Sequence, residues 1–198
     1  MNIAWTPSVE VETASGTREV SLNTRHLSNR TVFLTGEIGQ DTANSFLSQM
    51  LYLQEKDEPV TIYINSPGGE ISAGLMIYDI IQQSPLDITL ICAGLAASMA
   101  AVLLAGGRKG KRFILPHSEV MIHEPLLSRG VGGSASSIKN ISDSILATRE
   151  LMNSILAQHT GKTRKEIDKA TAFDHFMNAE EAVKFGICDA VYTGKKEA

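Results

Sequence analysis

Twenty consecutive residues, 88–107, carry no charge and read ITLICAGLAASMAAVLLAGG. A run of that length is nominally able to cross a bilayer as one helix. Its internal pattern argues against that. Ile88, Thr89 and Ile91 form a β-branched run, Gly94 interrupts it, and Ala and Leu dominate the second half up to Gly106 and Gly107. A buried strand followed directly by a short buried helix accounts for this order better than a membrane span.

Similar patterns recur along the chain. TVFLTG from Thr31 and VTIYIN from Val60 read as strands. DTANSFLSQMLYLQEKD, with Asp41 as a candidate cap, and EISAGLMIYDIIQQS repeat apolar residues at helical spacing. Further on, RFILP and EVMIHEP are strand-like, residues 138–158 form a long helical pattern, and NAEEAVKFG is a last helix. Thr163 and Glu166 have the spacing of a capping box. Strands alternating with helices imply an α/β fold with several parallel strands, from which the long helix protrudes. Ligand sites in such sheets lie beyond the strand C-termini, here residues 65–69 and 94–98.

The length of 198 residues suits one domain with one core, and residues 1–30 read as a polar N-terminal arm with a short strand near residues 9–11. With 18 basic and 22 acidic side chains, the charge does not suit a nucleic-acid binder; the one dense basic cluster, RKGKR at 108–112, reads as a solvated turn. No basic head leads into an apolar core at the N-terminus, so no export signal is visible. Cys92 and Cys188 lack CxxC spacing and read as buried thiols of a reducing compartment, which makes the cytoplasm the expected location. GKT at 161–163 imitates a phosphate loop, but Leu156 stands where the first glycine is required.

Ser98 admits two readings. It is a helix cap or small filler, or it is a nucleophile with small neighbours Ala96, Ala97 and Ala100 leaving room for a substrate. The surrounding GLAAS is not the GxSxG elbow of α/β-hydrolases. A nucleophilic serine needs a base, and His123, ending the apolar strand VMIH, is either that base or a satisfied core histidine. His26, His117, His159 and His175 have polar or charged neighbours and read as surface groups. Asp174, among apolar and aromatic residues, orients the base or caps a turn, whereas Glu124 points to the opposite strand face from His123. Gly68 and Gly69 make an ordinary turn or one that exposes N–H groups to an oxyanion.

From about Val32 to Val191 the chain resembles the proteolytic subunit of the Clp protease, a self-compartmentalising serine peptidase. The resemblance is carried by FLTGEI, YINSPGGEISAGLMIYD, ICAGLAASMAAVLLAGGRKGKRFILPHSEVMIHEP, LAQHTGKT and FMNAEEAVKFGICDAV. It implies a crotonase-like fold of repeated β-β-α units with a protruding handle helix, and Ser98, His123 and Asp174 as nucleophile, base and orienting acid. Gly69 and Met99 match the positions whose backbone N–H groups form the oxyanion hole, and neither metal nor organic cofactor is implied. Seven subunits would form a ring, two rings would stack through handles supplied by residues 138–158, and residues 127–133 would be the strand that lines the substrate. An AAA+ unfoldase would deliver unfolded polypeptide, docking on pockets that include Tyr63, with the N-terminal segment at the axial pore.

This chain departs from the family pattern where Glu124 replaces a glutamine, Phe173 an arginine and Ala172 an acidic residue. The segment after Pro125 is about two residues longer and that around Asp57 about two shorter. These departures suit a divergent paralogue that takes a sister proteolytic subunit as ring partner. The alternatives to an active endopeptidase are a weakly active structural or regulatory ring subunit, and an acyl-coenzyme A enzyme on the related crotonase fold.

Overall fold

A computed structural model describes residues 7–14, 16–127, 130 and 132–194. A hairpin of β1 (Ser8–Thr13) and β2 (Gly16–Ser21) precedes α1 (Leu22–Ser28). The N-terminal arm is therefore more ordered than its sequence suggests. Neither hairpin strand buries a residue fully, so the apolar alternation that announces a strand is weak there.

The main body alternates β3 (Thr31–Thr35), α2 (Gln40–Leu53), β4 (Val60–Ser66), α3 (Ile71–Gln83), β5 (Ile88–Ala97) and α4 (Met99–Ala105). Then come two strands in succession, β6 (Arg112–Ile114) and β7 (Glu119–Ile122), followed by α5 (Ala135–Thr160) and α6 (Arg164–Thr171). β8 (His175–Met177), α7 (Ala179–Phe185) and β9 (Ala190–Val191) complete the described chain. The result is the expected α/β class. Among the described residues, the order β3-β4-β5-β6-β9 is parallel throughout, and β7 pairs in parallel with β5 and antiparallel with β8.

β5 decides how this sheet is shaped. Leu90 to Cys92 pair with β6, whereas Leu95 to Ala97 pair with β7, both on the edge opposite β4. Between the two halves the register against β4 slips, and Asn65 and Ser118 hold the slip. The Leu95 N–H donates to Asn65 Oδ1 at 3.2 Å and the Gly94 N–H donates to Ser118 Oγ at 2.7 Å. The strand consequently runs on through Ala96 to Ala97 and ends immediately before Ser98.

Helix α4 lies at the centre, with all seven of its residues buried, and α2 and α3 cover the same core through Ala43, Phe46, Met50, Ala73 and Ile77. Each large aliphatic side chain fully buried there contributes roughly 1.5–3 kcal/mol. Gly39, not Asp41, is the N-cap of α2; Asp41 lies in the first turn, where its charge still favours the helix dipole. The capping box of Thr163 and Glu166 is present as expected.

Helix α5 begins three residues earlier than its apolar pattern, because Ser134 caps it by accepting from the Ser137 N–H. At about 1.5 Å per residue its 26 residues span roughly 39 Å. Its buried residues, Met152, Asn153, Ile155 and Leu156, all fall in the C-terminal half, and the N-terminal half leaves Ile138 and Leu146 exposed. That is the protruding helix expected from sequence. Leu127, Gly130, Gly132 and Gly133 belong to no strand, and Ser128, Arg129 and Val131 lie outside the described residues.

The basic run is the main correction. Arg112 is only 2% exposed, so the cluster is not simply a solvated turn. Its guanidinium donates to both oxygens of Asp189 and to the carbonyls of Ala105, His159 and Gly186, while Lys111 Nζ lies 2.7 Å from Asp87 Oδ2. Burial alone would raise the Asp189 carboxyl, but the hydrogen bonds from Arg112 and from the Gly110 N–H outweigh it and hold it below the usual carboxylate range. A lowered folded-state value means that this pair stabilises the fold fully above about pH 4 and loses its effect as pH falls through the folded value. Replacing Asp189→Asn leaves the Arg112 charge buried without its partner, and should lower the unfolding free energy at pH 7 by about 3 kcal/mol. Urea melts at pH 7 and on the acid limb check this; unchanged stability and an unchanged acid limb would contradict it.

Candidate active site

Ser98 occupies the junction at which β5 becomes α4 with no loop between them. Its backbone has φ 54 and ψ −122, a left-handed conformation that costs a residue with a side chain of order 1–3 kcal/mol. The Ser98 N–H donates to the Met121 carbonyl at 2.8 Å, and the Ser98 carbonyl accepts from the Ala101 and Val102 N–H groups. The side chain makes no cap hydrogen bond to the helix. The cap reading of Ser98 fails on that point.

The hydroxyl instead meets His123. Ser98 Oγ and His123 Nε2 are 2.8 Å apart. This proximity follows from register, since Ala97 pairs with Met121 and the Ser98 N–H continues the ladder, so that β7 delivers His123 just past its end. On the other side β7 runs antiparallel to β8 with Ile122 opposite His175, which brings His123 opposite Asp174. His123 Nδ1 lies 3.2 Å from Asp174 Oδ1. The two atoms are close without being aligned: Nδ1 is buried and makes no hydrogen bond, and the Asp174 side chain is 63% exposed.

Glu124 stays outside this line. Its carboxylate is 3.4 Å from Arg149 Nη1, and its N–H donates to the Thr171 carbonyl at 2.8 Å. Asp79 and Asp87 are also elsewhere, on α3 and beside Lys111. Of the other histidines, His117 is exposed as expected of a surface group, while His26, His159 and His175 are half-buried. His159 has its Nε2 2.7 Å from Tyr78 Oη, and burial, then Arg112, pushes its imidazole below the ordinary value. Both cysteines are buried and free, and burial pushes their thiols up to about 12, so neither competes as a nucleophile.

The turn after β4 abuts Ser98. Gly68 has φ +89, and a Cβ there would stand 2.8 Å from Ser98 Cβ and 2.9 Å from the Met99 nitrogen. At Gly69 a Cβ would be 2.2 Å from the Ile38 carbonyl oxygen, so the Ile38 bridge allows no side chain. That bridge uses the Gly68 carbonyl and the Glu70 N–H and passes over the Gly69 N–H. Met99 opens α4, so its N–H has no acceptor in the preceding turn of helix. Among the described residues, the Gly69 and Met99 N–H groups thus have no backbone acceptor and remain for an acceptor near Ser98.

A narrow recess of about 30 Å³ opens beside Ser98 and His123, walled by Ile71, Met99, Val102, Ile122, Met152 and Leu156. It is apolar and small. On the far side of Asp174 an open groove of about 680 Å³ carries Phe173, Phe176, Phe185 and Lys162, and Phe173 is 85% exposed. Sequence reasoning placed Asn65 in an expected site region without giving its side chain a role, and passed over Ser118, Asn153 and Thr171; these four are polar side chains that hold the supporting turns. One signal was readable: Asn153 interrupts the apolar positions Met152, Ile155 and Leu156 on the packed end of α5.

A serine hydroxyl within hydrogen-bond reach of an imidazole, an acid behind that imidazole and free backbone donors nearby suit nucleophilic acyl transfer. Among the described residues no cluster of His, Cys, Asp and Glu forms a metal site, and no helix is long and apolar enough to cross a membrane. The family model described as Clp protease matches residues 14–195.

The strain at Ser98 is measurable. Ser98→Gly relieves it whereas Ser98→Ala retains it, so in urea the Gly variant should be the more stable of the two by about 1 kcal/mol. A Gly variant less stable than the Ala variant would contradict the strained junction.

Proposed function

The chain belongs to the Clp protease family, and on that premise we propose that it is the serine endopeptidase subunit of a Clp-type, ATP-dependent proteolytic complex. The observation that carries this reading is the 2.8 Å contact between Ser98 Oγ and His123 Nε2 at a strained backbone position. In the mechanism Ser98 Oγ attacks the peptide carbonyl carbon while its proton passes to His123 Nε2. The negative oxygen of the tetrahedral intermediate accepts from the Gly69 and Met99 N–H groups. His123 then gives the proton to the departing amine, leaving an acyl-enzyme. Water, deprotonated by His123, releases the acyl group and restores Ser98. Asp174 holds the imidazole in the tautomer this cycle needs, and no metal or organic cofactor takes part.

The substrate is an unfolded chain that binds in extended form, and main-chain hydrogen bonds to it would make the sequence tolerance broad. Seven-membered rings stack in pairs through α5, whose exposed Ile138, Leu146 and Leu151 provide the apolar contact. An AAA+ unfoldase supplies the chain from the face that bears Tyr63. Tyr63 stacks on the exposed Phe33 with ring centres 5.7 Å apart, and His26 meets Phe33 edge-on, an aromatic patch that suits an apolar docking segment.

A second reading has an observation of its own. Because His123 Nδ1 and Asp174 are close but unaligned and Asp174 is largely exposed, the protein is a weakly active structural or regulatory ring subunit until a sister subunit completes the site.

A fluorophosphonate should label the assembled protein on Ser98, with Ser98→Ala unlabelled and His123→Ala and Asp174→Ala slowed by about 10³-fold or more. Peptide mapping by mass spectrometry checks the site. Labelling that appears only after a sister subunit is added supports the second reading, and labelling that persists in Ser98→Ala contradicts both.

A further inference from the structure

Helix α5 carries one buried polar side chain in its packed half. Asn153 is 1% exposed, and its Nδ2 donates to Asp168 Oδ1 at 2.8 Å and to Thr171 Oγ1 at 3.2 Å. Thr171 is buried too, its hydroxyl donating to the Ile167 carbonyl at 2.9 Å. Arg164 completes the cluster, reaching Asp168 Oδ1 at 3.0 Å and the Glu150 carbonyl of α5 at 2.9 Å.

The same Thr171 touches the candidate catalytic line through its backbone. Its carbonyl accepts the Glu124 N–H at 2.8 Å, and Glu124 follows His123 directly. Asp174 lies three residues beyond Thr171, past the end of α6. Thr171 is therefore tied on one side to the strand end that bears His123 and on the other, along the chain, to Asp174. One turn before Asn153 on α5, Arg149 pairs with the Glu124 side chain. Both members of the His123–Asp174 pair thus rest on one stretch of α5.

We propose that Asn153 is a positioning residue: by holding Thr171 it sets the distance and angle between His123 and Asp174. This rests on the peptidase reading above. A polar side chain in an apolar helix face has a cost unless its hydrogen bonds are used, and here each of them leads to the segment that carries Asp174.

The test compares the full-length protein with Asn153→Ala, Thr171→Val and Asp168→Ala by three readouts: amide exchange of Glu124, peptide hydrolysis, and thermal stability. Loss of one buried hydrogen bond shifts an opening equilibrium toward the open state by about tenfold. Asn153→Ala and Thr171→Val should speed Glu124 exchange by about that factor and lower kcat by at least tenfold with KM within twofold, while Asp168→Ala, which leaves the Asn153–Thr171 bond, should change kcat by less than about fivefold. Lowered thermal stability with Glu124 exchange and kcat within twofold of the parent would make Asn153 a packing residue only and overturn the proposal. If the parent neither hydrolyses peptide nor takes the fluorophosphonate, the peptidase reading fails by itself, and Glu124 exchange still decides whether Asn153 holds the pair. Should Asn153→Ala not fold, Thr171→Val, which keeps the side-chain volume, decides the same point.

Discussion

The hydrogen bond from the Ser98 N–H to the Met121 carbonyl, 2.8 Å long, fixes the point where a strand turns into a helix without a loop. Much of the site follows from it. With Ser98 bound to β7 at that position, His123 lies two residues beyond Met121, just past the end of the strand, and its Nε2 falls at the serine hydroxyl. The backbone conformation at Ser98 is unfavourable, and the structure offsets it by burying every residue of α4 behind it. Gly68 is the complementary constraint, because any side chain there would strike Ser98 and Met99.

Beyond that junction the site depends on elements far apart in the chain. β5 reaches β7 only because it leaves β6 at the Gly94 slip, where Asn65 and Ser118 receive the freed N–H groups. Asp174 arrives by the antiparallel β7–β8 pairing and is held less firmly than His123, being largely exposed and off the line of the imidazole N–H. Helix α5 combines both regimes. Its C-terminal half is packed against α4 and α6, and its N-terminal half leaves apolar side chains uncovered, a surface that suits subunit contact.

Local pattern carried most of the secondary structure, because β3, β4, α2 and α3 each bury an apolar face with a clear period and β5 and α4 together make one apolar run broken at Gly94. It missed what depends on distant partners. The N-terminal hairpin has too few buried residues to announce itself, and Arg112 looked solvated because Asp189 and the three carbonyls that receive its guanidinium come from other elements. Ser98, His123 and Asp174 could be singled out one at a time, as a serine at an element boundary, a histidine ending an apolar strand and an acid among aromatics. Their meeting rests on two strand registers, which no short window of sequence contains. Asn153 was legible as a polar residue in an apolar stripe, but its tie to the Glu124 backbone through Thr171 was not.

The central claim is that Ser98 is the nucleophile of a peptidase, and hydrolysis of a short fluorogenic peptide by the purified protein beside Ser98→Ala, with the assembly mass recorded on the same samples, tests it most directly. The account expects turnover by the double ring that disappears with the substitution while the mass is unchanged. Equal turnover by both proteins, or a fully assembled double ring with no turnover above the Ser98→Ala control, would contradict it.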